Sequence, residues 1–140
     1  MLTDENKTII QDAKIDVHRA KKHVERIETE FRASGDGRST SAFHLARDIM
    51  HGAEICIDIA DNYGALADVF EYIGDSYSHY GEDFAPDSTQ AKECTTSKLY
   101  AYRNSDLVNT SAVNFANTAI EYAENAVLCI TPKPNNNQKQ

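Results

Sequence analysis

These 140 residues predict an all-α fold, an antiparallel helical bundle with four helices expected in preference to three or five. Three observations carry that expectation. Apolar residues recur at alternating steps of three and four over long stretches, which gathers them on one side of a helix. No stretch alternates apolar and polar residues between hairpin turns, as exposed strands would. Many seam positions are Ala or Gly, which lets helices approach closely and leaves little volume for a buried cofactor.

The first segment has the cleanest period, with Ile10, Ala13, Val17, Ala20, Val24, Ile27 and Phe31 forming one apolar seam. Thr3 ahead of Asp4 and Glu5 suits its start, because acids are favoured near the positive end of the helix dipole. The run from Ala33 to Gly37 stops it.

A second, longer seam runs through Ala42, Leu45, Ile49, Gly52, Cys56, Ile59, Tyr63, Leu66, Phe70 and Ile73. Ser39, Thr40 or Ser41 can cap its start. Asp61 to Gly64 is the place for a kink or a short turn; the unbroken register favours the first and the composition favours the second.

After the polar stretch from Tyr80 to Pro86, Asp87 or Ser88 can cap a new helix, with Gln90 placed to complete a capping box from Asp87. Its seam is Val108, Ala112, Phe115, Ala119, Tyr122, Ala126 and Cys129. Beside it Val113, Ile120 and Val127 form a second apolar row, the mark of a helix packed on two sides or lying in an oligomer interface. Arg103 to Asp106 is polar enough to divide this region into two helices. Pro132 and Pro134 among Asn and Gln mark a tail, so residues 1–131 read as one helical-bundle domain and 132–140 as a flexible extension.

A hydrophobic fraction of 41% and a charged fraction of 26% suit a single globular domain of this length. No run of about 18 apolar residues offers a membrane span, and the first residues lack the basic stretch and apolar core of a secretory signal. Cys56, Cys94 and Cys129 are odd in number, widely spaced and without a C-x-x-C pair. They describe neither a disulfide framework nor a zinc site, and read as small apolar fillers in a reducing cytoplasm.

Charge is the most uneven property of the chain. Residues 1–34 hold seven acids and seven bases, and residues 88–140 hold four acids and five bases. Residues 35–87 hold eleven acids against Arg38 and Arg47, and from Asp48 to Ala91 there is no Lys or Arg. A pI near 5.0 argues against direct nucleic-acid binding.

On a heptad with Ala42 at position a, Glu54, Asp61, Asp68, Asp75 and Glu82 all fall at f, opposite the expected core, with Asp58 and Glu71 on neighbouring rows. Charged f positions are ordinary for a solvated helix. Uniform sign is not, because like charges one turn apart cost a few tenths of a kcal/mol each. The expectation is therefore a basic protein partner, such as a nuclease or a nucleic-acid-binding complex, met by Asp68, Glu71, Tyr72, Asp75, Glu82 and Asp83. Tyr72 falls off the seam and is the expected exposed anchor, whereas Tyr63, Phe70, Tyr77 and Tyr80 fall on it and read as core. Imitation of a nucleic-acid strand fits less well: seven helical residues rise about 10.5 Å, against about 3.4 Å between phosphates of one strand.

Two further readings belong to other classes. His44, Asp48, His51 and Asp58 project to one side of the second helix and could hold a metal ion or small ligand. A carboxylate-bridged dimetal bundle needs Glu-x-x-His pairs, and the chain has none, so these are weak candidates and no cofactor is expected. A structural homo-oligomer would use Val113, Ile120 and Val127. Catalytic signatures are missing: there is no Gly-rich phosphate loop, no G-x-S-x-G elbow and no Cys–His nucleophile pattern. Arg38 and His44 stand at a spacing found in certain helical ribonucleases, but there the pattern lies within a helix, whereas here Ser39 and Thr40 follow the Arg at an expected helix start. The leading expectation is a non-enzymatic, acidic, helical inhibitor or scaffold, similar in general composition to toxin immunity proteins and phage inhibitors of host defence.

Overall fold

The computed structural model describes residues 2–34 and 39–132, and these form three helices: α1 (Asp4–Ser34), α2 (Thr40–Gly81) and α3 (Thr89–Ile130). Three helices replace the expected four. Each begins at a hydroxyl that accepts an amide hydrogen bond otherwise left without a helical partner. Thr3 Oγ1 accepts from Asn6 N, Ser39 Oγ from Ala42 N and Ser88 Oγ from Ala91 N, each at 3.1 Å. The residue three beyond Ser88 is Ala91, so the expected box between Asp87 and Gln90 gives way to a plain serine cap.

Both expected interruptions lie inside unbroken helix. Gly64 needs no turn, because its missing side chain makes room for Leu2; a Cβ there would lie 2.8 Å from Leu2 Cδ1. The polar run at Arg103 to Asp106 contains Ser105, which is buried and donates through Oγ to the Ala67 carbonyl at 3.1 Å. Small size explains these residues better than helix breaking does. Gly74 and Gly81 likewise sit inside α2, under Tyr102 and Cys94 of α3. Of the tail expected over 132–140, residues 133–140 lie outside the described residues, as does Arg38.

α2 and α3 make an antiparallel hairpin, tied by the Tyr63–Phe115 ring contact (centroids 5.4 Å apart) and, further out, by Tyr102 and Asp75. α1 runs antiparallel to α2, with Phe31 stacked on Phe43 at one end (4.6 Å) and Lys14 paired with Asp61 towards the other. At 1.5 Å per residue, the 31 residues of α1 span about 46 Å and the 42 of α2 or α3 about 63 Å. The hairpin therefore outruns α1 and divides into a three-helix body and a two-helix arm.

The core of the body gathers Ile10, Val17 and Val24 from α1, Phe43, Met50 and Ile57 from α2, and an alanine row closed by Ile130 from α3. It ends at Ala60 on α2 and Ala112 on α3. Further out, the buried residues are Gly64, Ala67, Gly74, Ala101 and Ser105, all small.

The first seam is buried or half-buried as expected. On α2 the buried stripe is displaced by one residue from the expected seam: Phe43, Ala46, Met50, Ala53, Ile57, Ala60, Gly64, Ala67 and Gly74 face inward. Of the expected positions Cys56 is buried, while Leu45, Leu66 and Ile73 are exposed. One step along a helix is a turn of about 100°, so the large apolar residues stand on the flank of the hairpin and small ones occupy its centre.

Candidate protein-binding surface

Moving the seam moves the acids. With Phe43, Met50 and Ile57 at position a, Glu54, Asp61, Asp68, Asp75 and Glu82 fall at e, beside the core and not opposite it. In the body that flank faces α1. Lys14 Nζ lies 2.8 Å from Asp61 and Lys21 Nζ 3.1 Å from Glu54. One heptad on the signs reverse, and Glu28 of α1 receives Arg47 Nε at 3.0 Å and Arg47 Nη2. The Arg47 hydrogen bonds, with Arg32 at 2.9 Å, hold the Glu28 carboxyl below the usual carboxylate range. The like-charge cost thus has its compensation on another helix. For half-exposed pairs this contributes between about 0 and 1 kcal/mol each.

The arm carries the remaining acids beyond that ladder. Counting 100° per residue, Asp68, Glu71, Tyr72, Asp75 and Glu82 project within an arc of about 100°, and Asp83 follows in the turn. Tyr72 is 74% exposed. Asp68, Asp75, Glu82 and Asp83 are exposed, and Glu71 is half-buried. Asp75 accepts a 2.6 Å hydrogen bond from the Tyr102 hydroxyl, whose ring covers Gly74. That bond raises the phenol pKa above its ordinary value, and burial and the charges of Asp75 and Glu71 add to the effect. Asp75 is therefore held in place across the hairpin. Tyr63 and Phe70 are half-buried, whereas Tyr77 and Tyr80, expected in the core, are exposed because no third helix reaches them.

The other candidates are separated. His44, Asp48, His51 and Asp58 are all exposed, and among the described residues no three His, Cys, Asp or Glu side chains come together as a metal site. Val113, Ile120 and Val127 are half-buried; Ile120 and Val127 pack on the core and line a shallow groove with Ala20 of α1. Ile120 and Val127 of the second row thus stand on the side of α3 that faces α1. Sequence reasoning passed over Leu99, Tyr100 and Leu107 of α3, all exposed. Their signal was present as apolar residues lying off the seam.

No helix among the described residues is long and apolar enough to cross a membrane. Comparison of the chain with protein-family models, with curated proteins and with solved structures finds no match. The arrangement offers carboxylates and phenols on a two-helix arm, a chemistry suited to holding Lys and Arg side chains.

Proposed function

We propose that this chain is a non-enzymatic binding protein that occludes or scaffolds a basic protein, with the acidic flank of its arm as the contact surface. The observation that carries the reading is Tyr72, 74% exposed between Asp68 and Asp75 in a stretch without Lys or Arg. An exposed ring supplies contact area at low entropic cost, and carboxylates around it steer a cationic surface towards it. The partner class is a nuclease or another nucleic-acid-handling protein, whose phosphate-binding Lys and Arg side chains the acids would cover. In composition this is the character of toxin immunity proteins and phage inhibitors, an analogy and not a kinship.

The test has two stages. Immobilised protein is used to capture partners from host lysate at low and high salt, and a basic protein released as salt rises is expected. Affinity for it is then measured with Asp68→Lys combined with Asp75→Lys, which should weaken binding at least tenfold while helical content is retained. Unchanged affinity in the double variant would sink the proposal.

A further inference from the structure

α1 covers one flank of the hairpin, and nothing among the described residues covers the other. Of the eight charged residues in α2, seven fall within an arc of about 140° on the α1 side, and only Asp48 lies within 60° of Tyr63. On α3, Glu93 is the single charged residue within 60° of Phe115. Between these two positions the flank is uncharged along its length, in a chain whose charged fraction is 26%.

The same flank is rich in large apolar side chains. Leu45, Leu66 and Tyr77 of α2 and Tyr100 and Tyr122 of α3 stand on it, with Leu107 at its edge, each between 38% and 62% exposed. At roughly 200 Å² for a large side chain, these six alone offer on the order of 600 Å². Half-buried Ile49, Ile59, Phe70 and Phe115 add to that, and a stable interface takes about 800 Å² from each partner. Depletion of charge and enrichment of Tyr and Phe mark the buried centre of an interface.

We infer that a second copy of this chain packs on the uncharged flank, forming a two-fold homodimer through the α2–α3 hairpins. Length argues for a copy of the chain itself. The stripe from Leu45 to Tyr77 runs about 48 Å along the helix, the reach of another long hairpin. Charge argues likewise: a chain of net charge −8 meets itself with least repulsion where its acids are sparsest, and this flank carries only Asp48 and Glu93, near its two ends. Outside the described residues, only Met1 has a large apolar side chain. The interface does not use the acidic flank and stands independently of the basic partner proposed above.

Sedimentation equilibrium across the micromolar range should give twice the 15.6 kDa of one chain. High salt should leave that mass unchanged, since apolar burial and not charge holds the pair. Leu107→Lys and, separately, Leu45→Lys should each return the mass to that of one chain with an unaltered helical circular dichroism spectrum, because both side chains are already exposed in the single chain. Tyr72→Lys, on the acidic flank, should remain dimeric. A wild-type chain that stays monomeric throughout the range overturns the inference, as does a dimer that survives both flank substitutions.

Discussion

Glu28 is the side chain on which the end of the α1–α2 contact turns. It receives Arg47 from α2 and Arg32 from its own helix, and its side chain is only 14% exposed. Removing its charge by Glu28→Gln is expected to lower stability by up to about 1 kcal/mol at neutral pH, measured by urea denaturation. The sign with pH follows from its lowered folded-state pKa. The carboxylate's contribution is complete above the unfolded value of about 4.5 and disappears as pH falls through the lower folded value. Wild type and Glu28→Gln should therefore converge in stability once pH has fallen below the lowered folded-state value, and a gap that persists in acid would show that packing, not charge, is responsible. Gly74 offers a second single-residue test. Alanine is intrinsically better in a helix by about 1 kcal/mol, but a Cβ at this position would lie 2.6 Å from Tyr102 Cε1. Crowding of that kind costs about 1 to 3 kcal/mol, so Gly74→Ala should destabilise the chain. In a Tyr102→Ala background the same change should become stabilising. A double-mutant cycle without that reversal would mean that the ring does not set the cost.

At the level of whole elements, helix ends were legible and helix faces were only half so. Thr3 announced the first start, and the caps of the other two, Ser39 and Ser88, stood among two or three adjacent candidates, because a hydroxyl at a cap satisfies an amide wherever the helix later packs. The seam of α1 was legible because α1 is apolar on one side only. α2 has two apolar rows, and the row with the larger residues, from Leu45 to Ile73, has the stronger apolar pattern although Ala46, Ala53, Ala60 and Ala67 of the other row occupy the core. Summed hydrophobicity favours large side chains, whereas close helix packing selects small ones. The acidic stripe was misplaced by the same step, since Lys14 and Lys21 lie on a separate helix that a reading of α2 alone does not consult. Tyr72 was found off the seam because it is far from both apolar rows. The alanine centre makes its own prediction: Ala60→Leu or Ala119→Leu, each at a fully buried position, should destabilise the body by about 1 to 3 kcal/mol. Exposed Leu128→Ala on α3 should change stability by less than about 0.5 kcal/mol.

Across the whole molecule, stability and charge are both distributed unevenly. The body buries Phe43, Met50, Ile57 and Ile130, and the arm buries only Gly, Ala and Ser. With about 25 cal/mol from each Å² of apolar surface removed from water, an arm with so little to bury owes its order to its neighbours. In a single chain its amides are therefore expected to exchange before those of the body. Hydrogen exchange followed by mass spectrometry can compare residues 66–81 and 89–109 with residues 43–60 and 112–130. A partner on the uncharged flank would change that ranking, because Leu66, Phe70, Tyr77 and Tyr100 of the arm would then be covered. Wild-type arms should exchange at least tenfold more slowly than those of Leu107→Lys, while the two bodies exchange alike. Arms that exchange equally fast in both proteins would mean that the flank stays open to water. Arms as protected as the body in the Leu107→Lys monomer would mean that small-residue packing is enough to hold two long helices together.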